Sequence, residues 1–201
     1  MSENYSVIIL AAGNSSRMGK AKFALKFDNS KTFIEKIIDK YQNFNCQEII
    51  IVLNKSGIET FKNLKIKNLK SVKIIENNKL EFERFYSIKI GLSALKNNAP
   101  CFIQNSDNPF INNDLLRILI SNIKNYDYIN PYYKNKGGHP ILLSEKLIKK
   151  LISENQNNIN FRDFLKNFSH KKIETDDKNI LININSEIEY YKYFGNVLNI
   201  T

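Results

Sequence analysis

Arg17, Lys20 and Lys22 crowd a stretch otherwise built largely from small residues, Leu10-Ala11-Ala12-Gly13-Asn14-Ser15-Ser16-Arg17-Met18-Gly19-Lys20-Ala21-Lys22. The stretch follows Val7-Ile8-Ile9-Leu10, an apolar run that reads as a short buried strand. A strand that ends in small residues leaves backbone N–H groups open to close approach, which suits a phosphate chain. The pattern points to a nucleoside triphosphate site, with the planar fork of Arg17 suited to the β- and γ-phosphates. Far downstream, Asp107 directly follows a second apolar run, Cys101-Phe102-Ile103-Gln104. A carboxylate in a loop at the end of a strand suits Mg2+, which prefers oxygen ligands and keeps several waters. An Asp beside a Pro, as in Asp107-Asn108-Pro109, is also an ordinary turn arrangement.

Two common phosphate loops do not fit. A P-loop has two glycines four residues apart followed by Lys and Ser or Thr. Here five residues separate Gly13 from Gly19, and Lys20 is followed by Ala21, which carries no hydroxyl. The dinucleotide fingerprint needs a second Gly two residues after the first, and Ser15 stands there instead.

Leu10 to Lys22 resembles the LAAGxSxRMGxxK signature of the MobA-like nucleotidylyltransferases, the family that includes enzymes attaching CMP or GMP to molybdopterin. The resemblance implies nucleotide binding by Leu10, Ala11, Ala12, Gly13, Ser15, Arg17, Gly19 and Lys22. It makes Lys22 the lysine that neutralises charge near the α-phosphate, catalytic together with Arg17 and Asp107. Ser106-Asp107-Asn108-Pro109-Phe110-Ile111 resembles the family segment that supplies the metal aspartate. Ile182-Asn183-Ile184-Asn185-Ser186 resembles the Asn form of a late family segment, which makes Asn183 or Asn185 a second, neutral Mg2+ ligand; an Asn-Ser helix cap at a strand end is the structural alternative. Ser87 resembles a helix start near the nucleotide, with Glu83 where a Gly is common. Gly137-Gly138-His139-Pro140 resembles a GHP segment near the acceptor pocket, and Arg162 fits a further family arginine.

Strand and helix signals alternate along the chain. Helical spacing with a Thr32–Glu35 capping box predicts a helix with Phe33, Ile34, Ile37, Ile38 and Tyr41 inward. A second capping box, Ser56 with Glu59, is expected to open another. Further helices are expected from about Phe85 to Leu95, after Asn112 or Asn113, after Ser144, around Phe161 to Phe168 and after Ser186. Strands are expected at 48–53, 72–75, 101–104, 126–130, 141–143, 171–175 and 180–184, with a hairpin-like loop over 132–140. The alternation predicts a three-layer α/β/α Rossmann-like domain with a mostly parallel sheet, which the resemblance specifies as the nucleotide-diphospho-sugar transferase type. Ligands of such sheets sit beyond the carboxyl ends of the strands, where the first loop and the Asp107 loop both fall.

With 201 residues the chain suits a single domain, 1–201, and 42% hydrophobic content without a long apolar segment suits a soluble protein with no membrane partner. Met1-Ser2-Glu3-Asn4 lacks the features of a secretory signal, so the cytoplasm is the expected compartment. Cys46 and Cys101 read as buried thiols. The net charge of +10 suits a polyanionic ligand, but its lysines are scattered without the dense block or aromatic stripe of a nucleic-acid surface, so no nucleic-acid partner is expected. The resemblance implies Mg2+-dependent transfer of NMP from an NTP to a phosphorylated small molecule such as molybdopterin; in the family the Leu10-Ala11-Ala12-Gly13 form of the loop goes with CTP and the Asn form of the late segment with GTP, and CTP is placed ahead. Phosphocholine or a sugar phosphate is the alternative acceptor, and a non-catalytic nucleotide-binding role the alternative class.

Overall fold

The computed structural model describes residues 4–13, 19–97 and 99–198. Four parallel strands form one half of an eight-stranded sheet: β1 (Ser6–Leu10), β2 (Glu48–Leu53), β3 (Val72–Glu76) and β4 (Cys101–Asn105). The other half holds β5 (Tyr128–Tyr133), β6 (Lys136–Gly137), β7 (Ile141–Leu143) and β8 (His170–Glu174). The order is β3-β2-β1-β4-β7-β5-β6, with β8 alongside β5. Pairings within the first half and between β5 and β8 are parallel; β7 runs antiparallel to both β4 and β5, and β6 to β5. The sheet is therefore mixed, and the change of direction at β7 falls beside the strand that leads to Asp107.

The central strands β1, β2 and β4 are buried on both faces, which explains their continuous apolar runs. Val7 and Ile9 point with Ile49, Ile51 and Leu53 into one apolar layer, joined by Ile34, Ile37, Tyr41, Phe61, Leu116 and Leu119. These come from α1 (Phe33–Asn43), α2 (Lys55–Asn63) and α4 (Asn113–Asn122). Ile8, Ile50, Val52 and Ile103 point the other way, toward Phe85, Ile88, Leu147, Leu151 and Phe161. Those belong to α3 (Glu83–Ser93), α5 (Glu145–Ser153) and α6 (Phe161–Leu165). The alternation of side chains along each strand thus builds the three layers. No helix among the described residues is long and apolar enough to cross a membrane.

Local signals set most boundaries. Thr32 and Glu35 form the reciprocal capping box of α1, an arrangement stabilising by about 1 kcal/mol. Asn112 and Ser144 cap α4 and α5. Three expectations need correction. Helix α2 is capped by Asn54, whose side-chain oxygen accepts the Gly57 N–H, while Ser56 lies inside the first turn. Helix α3 starts at Glu83, two residues before Phe85, and leaves Leu95 beyond its end. Residues 180–184 are not a strand: Lys178–Leu181 is a single 3-10 turn. Ile180 there fills the main core and Ile184 a separate one, so burial alone generated the strand-like alternation.

That separate core matters for placement. Phe33, Ile184, Tyr190 and Phe194 cluster with Leu25, Phe27, Phe110 and Ile182. Ser186 and Glu189 cap the last helix, α7 (Glu187–Leu198): Ser186 Oγ accepts the Glu189 N–H, and Glu189 Oε2 accepts the N–H groups of Asn185 and Ser186. The segment before α7 is held between this cap and the aromatic cluster, close to the turn that follows the first loop.

Candidate active site

β1 ends at Leu10, and the chain leaves the sheet through Ala11 and Ala12. The Ala11 N–H bonds the Val52 carbonyl at 2.9 Å, and Asn54 Nδ2 donates to the Ala12 carbonyl at 3.0 Å. Asn54 thereby ties the first loop to the start of α2 with one amide. A Cβ at Gly13 would meet nothing within 4 Å, so its backbone faces open space. Gly19 has φ +60°, a conformation that favours glycine. Ser15 and Arg17 lie outside the described residues.

Lys22 opens a short 3-10 turn, Lys22–Ala24. Its Nζ donates to Asn185 Oδ1 at 2.5 Å and lies 3.4 Å from Asp107 Oδ2. Three segments far apart in the chain meet at this one ammonium group. Asp107 is held by its own loop: Gln104 Nε2 bonds the carbonyls of Asn105 and Asn108, and Tyr41 Oη bonds Gln104 Oε1. The Asp107 carbonyl accepts the Ile184 N–H at 2.9 Å, and Asn108 Nδ2 reaches the Ile180 carbonyl at 3.2 Å. The late segment is therefore fastened to the Asp107 loop without any strand pairing of its own.

Burial raises the Asp107 carboxyl above its ordinary value, while Lys22 and, at longer range, Arg84 pull it back down. Asp107 Oδ1 and Asn183 Oδ1 are both shielded and have no hydrogen-bond partner. Such oxygens fit a small hard cation, which needs only one or two protein ligands. Asn185 fits less well, since its Oδ1 is engaged by Lys22. No group of three or more His, Cys, Asp or Glu side chains converges among the described residues.

A cavity of about 370 Å³ opens at Lys22 and Asp107, lined as well by Leu10 to Gly13, Asn77, Leu80, Arg84, Ser87, Asn105 and Ser106. Ser87 is buried; its hydroxyl accepts from Asn77 Nδ2 at 2.8 Å and donates to the Glu83 carbonyl. A second cavity, of about 740 Å³, shares the wall at Glu83 and Arg84 and extends past His139 and Phe161 to the β5–β6 hairpin and Arg162. His139, joined to Pro140 by a cis peptide bond, pairs through Nε2 with Asn105 Nδ2 at 3.0 Å. Burial, aided by the charge of Arg84, lowers its imidazole to about 3, so the ring is neutral.

Asn54, Asn77 and Arg84 are not expected from the motifs. Asparagines abound in this chain, and nothing in local sequence separates these two from the rest. Arg84 sits in the first turn of a helix, a place where a basic residue normally reads as solvated.

A sheet of this order, with its carboxyl-end loops gathered around a lysine and an aspartate, is the nucleotide-diphospho-sugar transferase fold. Residues 7–173 match the MobA-like NTP transferase domain, and the chain belongs to that family, a family of nucleotidyltransferases. Molybdenum cofactor cytidylyltransferase of Escherichia coli is 29% identical over 183 residues, covering 91% of this chain and 92% of that protein. Among solved structures, Rv0371c of Mycobacterium tuberculosis superposes with a TM-score of 0.80 at 17% identity, covering 96% and 98% of the two chains. It has also been solved in complex with manganese, where the TM-score is 0.74. A nucleotidyl transferase from Methanothermobacter thermautotroptrophicus gives a TM-score of 0.77 at 19% identity, over 98% and 99% of the chains.

Proposed function

We propose that this single-domain protein transfers CMP from CTP to the phosphate of a small cofactor, molybdopterin or a close analogue, with release of pyrophosphate. Support for CTP comes from the Leu10-Ala11-Ala12-Gly13 form of the loop and from the cytidylyltransferase name of the Escherichia coli relative. The observation that carries the reading is the meeting of Lys22 with Asp107 and Asn185, where Lys22 and Asp107 line a cavity that the start of the first loop walls as well. We assign the base and ribose to the side walled by Ala12, Asn77, Leu80 and Ser87, and the triphosphate to the side of Gly13 and Lys22.

The reaction breaks the bond between the α-phosphorus and the bridging oxygen, and the crowded negative charge is the main obstacle. Catalysis is then positioning and charge neutralisation. Lys22 is held by Asn185 and Asp107, so its ammonium is fixed before substrate arrives and needs no reorganisation during transfer. Asp107, with Asn183, would hold Mg2+, which when bound neutralises phosphate charge and orients the leaving group. Asn185 then serves to aim Lys22 rather than to bind metal. The manganese complex of the mycobacterial protein supports a divalent cation in this fold. Neutral His139 cannot act as a fixed positive charge; it braces Asn105 beside the site. The expected location is the cytoplasm.

The test is pyrophosphate release from CTP and from GTP, with Mg2+, against molybdopterin, phosphocholine and a sugar phosphate. Turnover with CTP and molybdopterin is the expected result. Turnover only with another acceptor refutes the cofactor assignment. Tight CTP binding with no turnover on any acceptor favours a nucleotide-binding accessory role, to which the neutral Asn183 and Asn185 lend some support.

A further inference from the structure

Arg84 stands in the wall shared by the two cavities, on the first turn of α3. Its Nε and Nη2 are shielded from solvent and have no hydrogen-bond partner, and it forms no salt bridge among the described residues. The guanidinium carbon lies 5.7 Å from the centre of the Phe161 ring, which supports the planar group from α6. The charges that reach it are Asp107 on the side of the first cavity and Arg162 on the side of the second; one attracts and the other repels. Glu83, the neighbouring acid, is exposed and does not pair with it.

A desolvated guanidinium with idle donors is costly unless something anionic completes it. Its planar fork matches the oxygens of a phosphate or carboxylate rather than a hydroxyl. The position also selects which anion. Lys22, Asp107 and Arg84 line the first cavity and Arg84 also lines the second, so an acceptor entering from the second cavity reaches a nucleotide seated over Lys22 and Asp107 across Arg84. Resting on the nucleotidyl-transfer reading above, we propose that Arg84 binds the attacking oxyanion of the acceptor and so restricts the second cavity to acceptors that attack through an anionic oxygen. In that step a lone pair of the acceptor oxygen forms the new bond to the α-phosphorus. The bond to the bridging oxygen breaks, and its electron pair leaves with pyrophosphate. An ionised phosphate monoester carries no proton on the attacking oxygen, so no base is required. Arg84 offsets the repulsion between the incoming anion and the nucleotide.

The experiment loads the full-length protein with the non-transferable nucleotide α,β-methylene CTP and Mg2+, then titrates phenyl phosphate and benzyl alcohol by ligand-observed NMR. The wild type is expected to prefer phenyl phosphate. Arg84→Gln is expected to weaken phenyl phosphate roughly tenfold to a hundredfold, as for loss of a hydrogen bond to a charged group, and to leave benzyl alcohol unchanged. Arg84→Lys is expected to recover part of the loss, because it restores charge without the fork. Nucleotide affinity is measured in the same samples. Phenyl phosphate binding that is the same in wild type and Arg84→Gln overturns the assignment while leaving nucleotidyl transfer intact. An equal loss of nucleotide affinity in Arg84→Gln also overturns it, and makes Arg84 a nucleotide ligand. Failure of the wild type to bind the nucleotide refutes the underlying reading itself.

Discussion

The Asp107 carbonyl accepts the Ile184 amide proton at 2.9 Å, and neither residue lies in a strand. This one backbone bond joins the loop after β4 to the segment before α7, and it sets Asn185 where it can reach Lys22. The cluster of Phe33, Ile184, Tyr190 and Phe194 presses the same segment down from the far side. The candidate site is thus assembled by packing outside the sheet as well as by loops at its edge. Changes to the three polar residues should separate from changes to the fold.

Lys22→Ala should lower kcat by about 100- to 1,000-fold, the usual effect of removing a donor aimed at developing charge. KM for the NTP should move only a few-fold, since the first loop still binds the phosphates. Steady-state pyrophosphate release measures both. Parallel losses in kcat and affinity would reduce Lys22 to a binding residue.

Asp107→Asn should remove at least about 100-fold of turnover yet leave the protein at least as stable near neutral pH. The sign follows from burial. The folded state holds this carboxyl above its ordinary value of 3.8, so ionising it costs stability as pH rises past that value. A neutral amide avoids the cost. Urea unfolding at pH 7 checks it: a clear loss of stability in the variant would make the residue structural.

Most of the fold is legible because it follows from apolar spacing. Phe33, Ile34, Ile37, Ile38 and Tyr41 are buried as a helical face, and the continuous runs at 7–10, 48–53 and 101–104 are central strands with two covered faces. The first loop and Asp107 are legible because small residues and a lone acid follow those runs directly. The segment 180–184 misleads because two different cores bury its isoleucines, and period-two burial imitates a ladder. Arg84, Asn54 and Asn77 act through long-range neighbours, and no local pattern announces such contacts.

His139 supplies a pH signature independent of turnover. Its folded value of about 3 lies below the ordinary 6.5, so the unfolded chain binds the proton more readily between those limits. Its contribution to stability is complete above 6.5 and is lost as pH falls toward 3. His139→Asn should erase that dependence, so the variant gains on the wild type by up to about 1.4 kcal/mol per pH unit over the window. Asp107 titrates in both proteins and cancels in the difference. Urea midpoints at several pH values give the slope, and parallel curves would mean that the ring is not buried as a neutral group.

Glu83 carries the most informative backbone strain near the site. Its φ of 52° and ψ of −143° belong to a region that only glycine occupies readily, and the turn of Leu80–Phe82 enters α3 through it. The sharp reversal lets Leu80 line the first cavity while Arg84 and Ser87 follow on the helix. A side chain held there costs on the order of 1–3 kcal/mol, part of which glycine recovers and part of which its extra unfolded-state freedom cancels. Glu83→Gly should therefore raise stability by about 1 kcal/mol, whereas Glu83→Ala, which keeps the Cβ, should not. Comparing the two variants in urea isolates the backbone from the lost carboxylate. If Gly proves no more stable than Ala, the turn is not strained, and the entry into α3 is set by side-chain contacts instead.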